Sequence, residues 1–494
     1  MQLCKDAYEV GYFVKFCTFV LYFLWSAGVD VSQVFVVAPY IGDSDTAVEL
    51  PFYEYPQKKI LMIRFFYALW CCLLFVETVA QDNPDESYDY FVPFADALVL
   101  DPLGDTVSVM QEQAAMYDEF ITPPEVPINE DLRYTASAFR AYSRPANCSL
   151  SKQVYGYHPY WMTESQFKNY DYSLLSTFVF FGMELNPITG GYKTLRNWQT
   201  TNAVALAQQA GCRVELCVLN FGGYNNHKFL SNTKAWATFA QTIKTALDMR
   251  NADGINLDFE DVYQRDRVQL VKFVRYLSEQ LRPSRPHLSI SMTLPPVNVN
   301  NTYDIAALSP YIDRMIIMAY DYTTAKSKHA GPVAPMNGSY SLKNTLGDYL
   351  QTGISTDKFV LAVPYYGREW KTATAKIPGA TIEPALTRTY TTVVQQYRTA
   401  KPRWHASSES PYIVRISKDG TVSQCWYESK ASIEKKYNLA IEKQLGGVAI
   451  WALGYDDGCT ELWDLIDKKF VTCGAGNGWQ QKTHYQQWLK DYFK

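Results

Sequence analysis

Metal-binding motifs and a strong charge of one sign are both missing from this 494-residue sequence. The formal net charge is −4 and no basic run stands out, so we expect no nucleic-acid partner and no attraction to an anionic membrane. The six histidines are scattered, and the sequence contains neither an HExxH motif nor a CxxC pair. We therefore expect no metal site, and no motif indicates a bound cofactor.

Aromatic residues, by contrast, are abundant. Tyr, Phe and Trp number 37, 25 and 12, which is 15% of the chain. Flat aromatic rings present large apolar faces on which sugar rings can stack, so this composition is compatible with carbohydrate binding. Ordinary packing in a core and at a surface explains the same composition. The choice between the two therefore depends on motifs.

The N-terminal part of the chain contains a predicted signal peptide at residues 62–80. A basic residue, Arg64, precedes an apolar run at 65–76, and the small residues at 78 and 80 predict cleavage before Gln81. The run is shorter than a membrane span requires. We therefore expect a secreted product, periplasmic or extracellular, with no stable membrane span.

A second apolar stretch at residues 13–25 leaves a pair of membrane anchors as the alternative. Residues 1–61 have no assignment, and a translation start at Met62 would make them an over-extension of the gene model. Residues 81–152 are acidic and rich in Pro, which indicates a linker or a loosely packed N-terminal region. Residues 471–494 form a polar, aromatic tail.

Cysteines are compatible with export. Cleavage before Gln81 would leave six of them, and an even number in an exported chain permits disulfides although the sequence does not fix their pairing. The six cysteines are Cys148, Cys212, Cys217, Cys425, Cys459 and Cys473.

We expect the protein to be a monomer.

From residue 153 short apolar runs alternate with amphipathic stretches, which is typical of a parallel α/β fold. Eight runs predict a (β/α)8 TIM barrel over residues 153–470, with a small α+β insertion subdomain at 370–430 between strands 7 and 8. The runs are 154–158, 176–181, 214–221, 254–260, 288–294, 314–320, 358–366 and 447–453. Helices are predicted at 201–211, 235–249, 266–281 and 431–445.

The fourth run contains an unusual row of polar residues. Alternate side chains of a strand share a face, so Asn256, Asp258 and Glu260 point into the barrel lumen, with Glu260 at the C-terminal mouth. Because parallel strands are normally apolar on both faces, this polar face indicates a functional site rather than a solvent-exposed strand edge. Two adjacent carboxyl groups do not readily both ionise, which makes Glu260 the candidate general acid.

This run resembles the signature of glycoside hydrolase family 18, the chitinases and their relatives, which reads Asp-Gly-x-Asp-x-Asp-x-Glu. Asp253, Gly254, Asp258 and Glu260 match it. Asn256 stands where the family has its middle Asp, a variant similar to that of the chitobiase and spore-wall hydrolase branches.

Further residues of the family pattern follow in order over about residues 153–470. The strand-3 Ser of the family is replaced by Asn220. The matching residues are Tyr157 and Trp161 by the first run, Gly222 and Gly223 after the third, Met318, Tyr320 and Asp321 by the sixth, Tyr366 and Arg368 by the seventh, and Trp451 on the eighth.

The resemblance implies a substrate-assisted retaining mechanism, in which the N-acetyl group of the substrate is the nucleophile. Glu260 would protonate the leaving oxygen, Asp258 would accept the acetamido N–H, and Tyr320 would donate to the acetamido oxygen. Asp321 would help to orient the same sugar, with Asp253 and Asn256 in supporting roles. The expected substrate-binding residues are Trp451, Tyr157, Trp161, Met318, Tyr366 and Arg368.

The expected partner is an N-acetylglucosamine-containing polysaccharide or oligosaccharide, with β-1,4 bonds of chitin or chito-oligosaccharides as the first choice. Peptidoglycan and the N-glycan core are alternatives of the same class. A catalytically weak chitin-binding lectin of the same fold is the alternative outside the enzymes, which the presence of Glu260 disfavours. A barrel enzyme of unrelated chemistry is disfavoured because phosphate and metal motifs are missing.

Overall fold

The computed structural model describes residues 148–397 and 400–473. Its strands are numbered along the chain: β1 Cys148–Leu150, β2 Gln153–Pro159, β3 Thr177–Leu185, β4 Tyr192–Thr194, β5 Arg213–Phe221, β6 Gly254–Glu260, β7 Ser289–Leu294, β8 Arg314–Met318, β9 Phe359–Pro364, β10 Tyr366–Thr372, β11 Leu386–Thr389, β12 Arg403–His405, β13 Ser410–Ile416, β14 Val422–Trp426, β15 Gly447–Trp451 and β16 Val471–Cys473.

Eight of these strands close into a parallel barrel. The order around it is β2, β3, β5, β6, β7, β8, β9 and β15, and β15 returns to pair with β2. Strand β4 adds a short antiparallel hairpin to β3. Each of the eight predicted runs corresponds to one barrel strand, so the predicted TIM barrel is confirmed.

Helices cover the outside of the barrel because one stripe of each is apolar. The helix at Arg267–Leu281 buries Leu270, Phe273, Val274, Leu277 and Leu281 at the spacing of a single helix face. The helices are α1 Glu164–Phe167, α2 Asn202–Gln209, α3 Gly223–Leu230, α4 Thr233–Asp248, α5 Arg267–Leu281, α6 Ile305–Leu308, α7 Leu342–Leu350, α8 Tyr390–Gln396, α9 Lys430–Glu442 and α10 Glu461–Phe470. The four predicted helices correspond to α2, α4, α5 and α9.

The predicted insertion between barrel strands 7 and 8 is a five-stranded antiparallel sheet with one helix. The strand order is β11, β10, β14, β13 and β12, and α8 follows β11. The sheet begins at Tyr366, ahead of the predicted bound of 370, because Tyr366 already pairs with Thr389. Loops at the C-terminal end of a TIM barrel build its active site, so the insertion is at the functional end.

The two ends of the described chain are joined. Strands β1 and β16 pair antiparallel, and Cys148 forms a disulfide with Cys473. Cys212, Cys217, Cys425 and Cys459 form no disulfide among the described residues. The predicted signal peptide and the larger parts of the predicted linker and tail lie outside the described residues. Within 148–397 and 400–473, no helix is both long and apolar enough to cross a membrane.

Candidate active site

Strand β6 presents two chemically different faces. All seven of its residues are buried. On the outer face, the Phe259 ring stacks on Phe273 of α5 with 5.7 Å between ring centroids, and it meets Phe229 of α3 edge-on. Because side chains alternate along a strand, Asn256, Asp258 and Glu260 occupy the opposite face, inside the barrel.

Asp258 is fully buried at the centre of this inner face. The Thr293 hydroxyl, from the neighbouring strand β7, donates a hydrogen bond to Asp258 Oδ1. The other carboxyl oxygen, Oδ2, has no hydrogen-bond partner among the described residues. Burial raises the pKa of Asp258 above its ordinary value, and the hydrogen bond from Thr293 opposes that rise.

Two tyrosine hydroxyls approach Asp258 from other strands. Tyr157 lies on β2, and Tyr320 follows β8. In the described part of the chain neither hydroxyl has a hydrogen-bond partner, although both are buried. Burial and the nearby Asp258 carboxylate raise the pKa of both tyrosines well above 10, so both keep their protons and act as donors. Tyr320 also interacts electrostatically with Glu260.

Trp451 forms an apolar floor beside these polar groups. It is the last residue of β15 and is fully buried. Its ring centroid lies 6.0 Å from that of Tyr157, 6.5 Å from that of Trp161 and 4.9 Å from that of Phe181. Met318 ends strand β8 and is buried as well. The expected substrate-binding residues Tyr157, Trp161 and Trp451 thus lie together.

The insertion supplies the rest of the predicted set. The Tyr366 hydroxyl donates to Asp321 Oδ1 over 2.8 Å, and the buried Arg368 guanidinium lies 3.4 Å from the same oxygen. The rings of Tyr320 and Tyr366 meet edge-on, with 6.2 Å between centroids. Tyr366 and Arg368 therefore hold Asp321 beside Tyr320. The sequence predicted these two residues to bind substrate, and in the structure both contact Asp321.

Glu260, at the C-terminal end of β6, is 8% exposed. Its main-chain carbonyl accepts a hydrogen bond from Asn226 Nδ2 over 2.5 Å, and Asn220 Nδ2 donates to Asn226 Oδ1 over 2.8 Å. The Tyr303 hydroxyl donates to the carbonyl of Phe259 over 2.5 Å. These side chains fix the backbone that carries Glu260, and Asn220 is the residue that replaces the family's Ser.

Two of the predicted supporting residues lie away from the mouth. The exposed Asp253 precedes β6, and its Oδ2 accepts a hydrogen bond from the Val214 amide over 2.7 Å. Asn256 lies one layer below Asp258, between Cys217 on β5 and Ser291 on β7. Asp253 therefore bonds the start of β6 to β5, and Asn256 bonds β6 to both β5 and β7.

The polar residues on β7 are not among those predicted from the sequence. Ser289, Ser291 and Thr293 occupy every second position of that strand and are all buried. Their alternation within the run Leu-Ser-Ile-Ser-Met-Thr-Leu is a signal of a polar inner face that could have identified them. No group of three or more His, Cys, Asp or Glu residues able to hold a metal ion occurs in the described residues.

Comparison with known proteins agrees with this geometry. The model of the family described as Glycosyl hydrolases family 18 matches residues 153–456, from the first barrel strand to the loop after the last. This chain belongs to glycoside hydrolase family 18. The matched stretch contains the inner face of β6, the residues around Asp321 and the floor at Trp451. The protein is accordingly a glycoside hydrolase.

Relatives within the family come from bacteria and insects. The chain is 25% identical over 261 residues to the uncharacterized glycosylase YvbX of Bacillus subtilis, covering 51% of this chain and 71% of that protein. It is 25% identical to probable chitinase 2 of Drosophila melanogaster and to the cortical fragment-lytic enzyme of Bacillus anthracis. These two matches span 48% and 45% of this chain, but only 54% and 50% of the relatives' own length.

Solved structures show the same fold. The spore cortex-lytic enzyme SleL of Bacillus cereus matches with a TM-score of 0.56 and 21% identity, over 66% of this chain and 76% of that one. The chitinase of Cycas revoluta in complex with (GlcNAc)3 matches with a TM-score of 0.58 and 19% identity, over 65% of this chain and 99% of that one.

Proposed function

We propose that this glycoside hydrolase cleaves β-1,4 bonds next to N-acetylglucosamine, with Glu260 as the general acid and the substrate's acetamido group as the nucleophile. One observation carries the proposal: a buried acceptor without a partner and a buried donor without a partner belong to two side chains that interact electrostatically. They are Asp258 Oδ2 and the Tyr320 hydroxyl, within the described residues.

An acetamido group is the chemical complement of that pair. It has one N–H donor and one carbonyl acceptor, and buried polar atoms require partners. Asp258 accepts the N–H, and Tyr320 donates to the carbonyl oxygen. The acetamido group is thereby held with its oxygen directed at the anomeric carbon, while Trp451 packs against the apolar face of the sugar.

The reaction then has two steps. Glu260 gives its proton to the glycosidic oxygen as the bond to the anomeric carbon breaks, and the acetamido oxygen forms a bond to that carbon. The resulting oxazolinium ion is positively charged, and the Asp258 carboxylate stabilises it. Water then attacks the anomeric carbon, Glu260 takes the proton of that water, and the acetamido group is restored with retention of configuration. General acid catalysis of this kind contributes roughly 10²–10⁴-fold.

Chitin or its oligomers are the proposed substrate class. The names of the relatives support both chitin and spore cortex as targets, since they include a probable chitinase and a cortical fragment-lytic enzyme. The Cycas revoluta chitinase was solved with (GlcNAc)3. Peptidoglycan and the N-glycan core contain the same acetamido sugar and are the alternative substrates with which chitin is compared.

The experiment compares turnover by the purified protein and by Glu260→Gln on chitin oligomers, peptidoglycan and N-glycans. Cello-oligosaccharides, which lack the acetamido group, are the matched control substrate. We expect the parent to cleave only acetamido glycans, chitin oligomers fastest, and Glu260→Gln to lose at least about 10²-fold in kcat. Equal turnover by both proteins contradicts the acid role. Cleavage of cello-oligosaccharides contradicts the acetamido mechanism, and binding without turnover by the parent indicates a lectin.

Export and a monomeric state are part of the proposal. Disulfides persist in oxidising compartments, so the Cys148–Cys473 bond supports an exported protein. We expect the native secreted protein to begin at Gln81 when its N-terminus is sequenced, and to elute as a monomer in size-exclusion chromatography with light scattering. Retention of residues 62–80 in a membrane fraction would favour the pair of anchors.

A further inference from the structure

A second buried carboxyl group lies below Asp258 and has no part in the reaction described above. Glu215 lies on β5 and is fully buried. Its Oε1 accepts a hydrogen bond from Ser289 Oγ over 2.6 Å, and its Oε2 accepts one from Ser291 Oγ over 2.5 Å. Both serines are on β7, so the Glu215 side chain reaches across the whole width of β6.

Gly254 is the β6 residue between Glu215 and Ser289. In the barrel register Glu215 pairs with Gly254, and Gly254 pairs with Ser289. A Cβ atom at residue 254 would lie 2.8 Å from Ser289 Cβ and 2.4 Å from the Ser289 carbonyl oxygen. A side chain at residue 254 would therefore collide with Ser289, which is one of the two donors to Glu215.

Glu215 also sets the direction of the hydrogen-bond chain that contains Asn256. A serine hydroxyl has one hydrogen, which Ser291 donates to Glu215, so Ser291 Oγ accepts from Asn256 Nδ2 over 2.8 Å. Asn256 Oδ1 is then left to accept from Cys217 Sγ over 3.2 Å. Asn256 is next to Asp258 on the inner face of β6, two residues along the strand.

We propose that Glu215 is a positioning residue for the glycosidase: acting through Ser291, it fixes the Asn256 amide beside Asp258 and supplies from β5 the carboxyl group that the family signature has at position 256. The inference rests on the proposed role of Asp258. A carboxyl at 256 would be a second titrating group directly beside Asp258. With the carboxyl moved to Glu215, a neutral amide of fixed orientation separates the two charges.

The surroundings of Glu215 let its charge change near neutral pH. Burial raises its pKa to about 7, although the hydrogen bonds from Ser289 and Ser291 oppose the rise. An ionised Glu215 accepts from both serines, whereas a protonated Oε2 would donate to Ser291 and reverse the hydrogen bond between them. The other titratable or charged groups that interact with Glu215 are Tyr155, Tyr157, Arg213, Cys217 and Asp313.

The two serines provide a matched pair of variants. Both Ser289→Ala and Ser291→Ala remove one hydroxyl from the same carboxylate, but only Ser291 contacts Asn256. In the full chain we expect Glu215→Gln and Ser291→Ala to lower kcat roughly tenfold or more, with KM little changed and the pH profile displaced. At alkaline pH, where Glu215 is ionised with or without the Ser289 hydroxyl, Ser289→Ala should keep kcat within about threefold of the parent. Equal losses in the two serine variants would overturn the proposal, because they indicate a structural role alone.

Exchange of the two groups tests the origin of the effect. Asn256→Asp alone places two carboxyl groups in contact through Ser291 and should lower kcat. The double variant Glu215→Gln/Asn256→Asp restores one carboxyl and one amide, and should recover kcat to within a few-fold of the parent. Losses that simply multiply in the double variant contradict the exchange.

A substrate-free measurement separates this inference from the proposed substrate. Infrared difference spectra across pH report the ionisation of buried carboxyl groups, and Asp258→Asn identifies the Asp258 band. We expect its midpoint to move further in Glu215→Gln and Ser291→Ala than in Ser289→Ala, with thermal melts confirming that each variant is folded. An unmoved midpoint in all three overturns the inference. Failure of the parent to cleave N-acetylglucosamine oligomers, with a moved midpoint, contradicts only the proposed substrate.

Discussion

At the scale of single residues, the site accepts a cost in stability. A buried polar group without a partner costs about 1–3 kcal/mol. Asp258 Oδ2 and the hydroxyls of Tyr157 and Tyr320 are such groups within the described chain. In the proposed complex, the acetamido group supplies partners for Asp258 Oδ2 and the Tyr320 hydroxyl. Removal of one should therefore affect turnover and stability in opposite directions.

Tyr320→Phe tests that expectation. It deletes a buried hydroxyl that has no partner, so we expect the free energy of unfolding to stay the same or to rise. We expect kcat to fall roughly 10²–10³-fold, because the donor to the acetamido oxygen is lost. Steady-state kinetics and urea unfolding measure the two effects.

Tyr365→Phe is the matched control for Tyr320→Phe. The Tyr365 hydroxyl is buried but bonded to the Tyr437 hydroxyl over 2.9 Å. Its loss should cost about 1 kcal/mol of stability and leave kcat unchanged. A Tyr320→Phe enzyme that retains full activity would remove Tyr320 from the mechanism.

Thr293→Val should change the pH dependence. The Thr293 hydroxyl stabilises the ionised form of Asp258, so its loss raises the pKa of Asp258 further. Because the proposed mechanism uses the carboxylate, the acid limb of the kcat/KM profile should move to higher pH by about one unit. Thr177→Val, at the start of β3, is the control and should leave the limb in place. An acid limb that moves to lower pH, or that does not move, in Thr293→Val contradicts the role of Asp258 as an ionised carboxylate.

At the scale of elements, barrel closure depends on close contact between the first and last strands. Strand β15 pairs with β2, and Gly447 lies opposite Gln153. A Cβ atom at residue 447 would lie 2.1 Å from the Gln153 carbonyl oxygen. Main-chain atoms cannot move aside as a flexible side chain can, so any larger residue would push the strands apart.

Gly447→Ala should therefore destabilise the barrel by roughly 1–3 kcal/mol. Gly347→Ala, inside α7, is the control, because a Cβ atom there meets nothing within 4 Å. Alanine is the better helix former, so this second change should stabilise by about 0.5–1 kcal/mol. Urea unfolding of both variants decides the matter, and equal midpoints would contradict the closure argument.

At the scale of the whole molecule, a covalent link joins the ends of the described chain. Cys148 and Cys473 are separated by 325 residues in sequence, and β1 and β16 pair around their disulfide. A cross-link that closes a long loop restricts the unfolded chain strongly. The barrel is therefore expected to be more stable in the oxidised state.

Cys148→Ser/Cys473→Ser should lower the free energy of unfolding by about 2–5 kcal/mol. Cys459→Ala, a free and partly exposed cysteine, is the control and should change it by less than about 1 kcal/mol. Thermal unfolding with and without a reductant checks this, since reductant should lower the Tm of the parent to that of the double variant. A Tm that neither the reductant nor the double substitution lowers would show that the disulfide does not contribute to stability.

The sequence by itself determined the eight strands and the shared face of Asn256, Asp258 and Glu260. Side chains alternate between the two faces of a strand, so this pattern can be read from neighbouring residues alone. Only the tertiary structure decided that Thr293 bonds Asp258, that Tyr366 and Arg368 hold Asp321, and that Glu215 reaches Ser291. Such contacts depend on the register of strands that are distant along the chain. Register is set by the closure of the whole barrel, which no local pattern encodes.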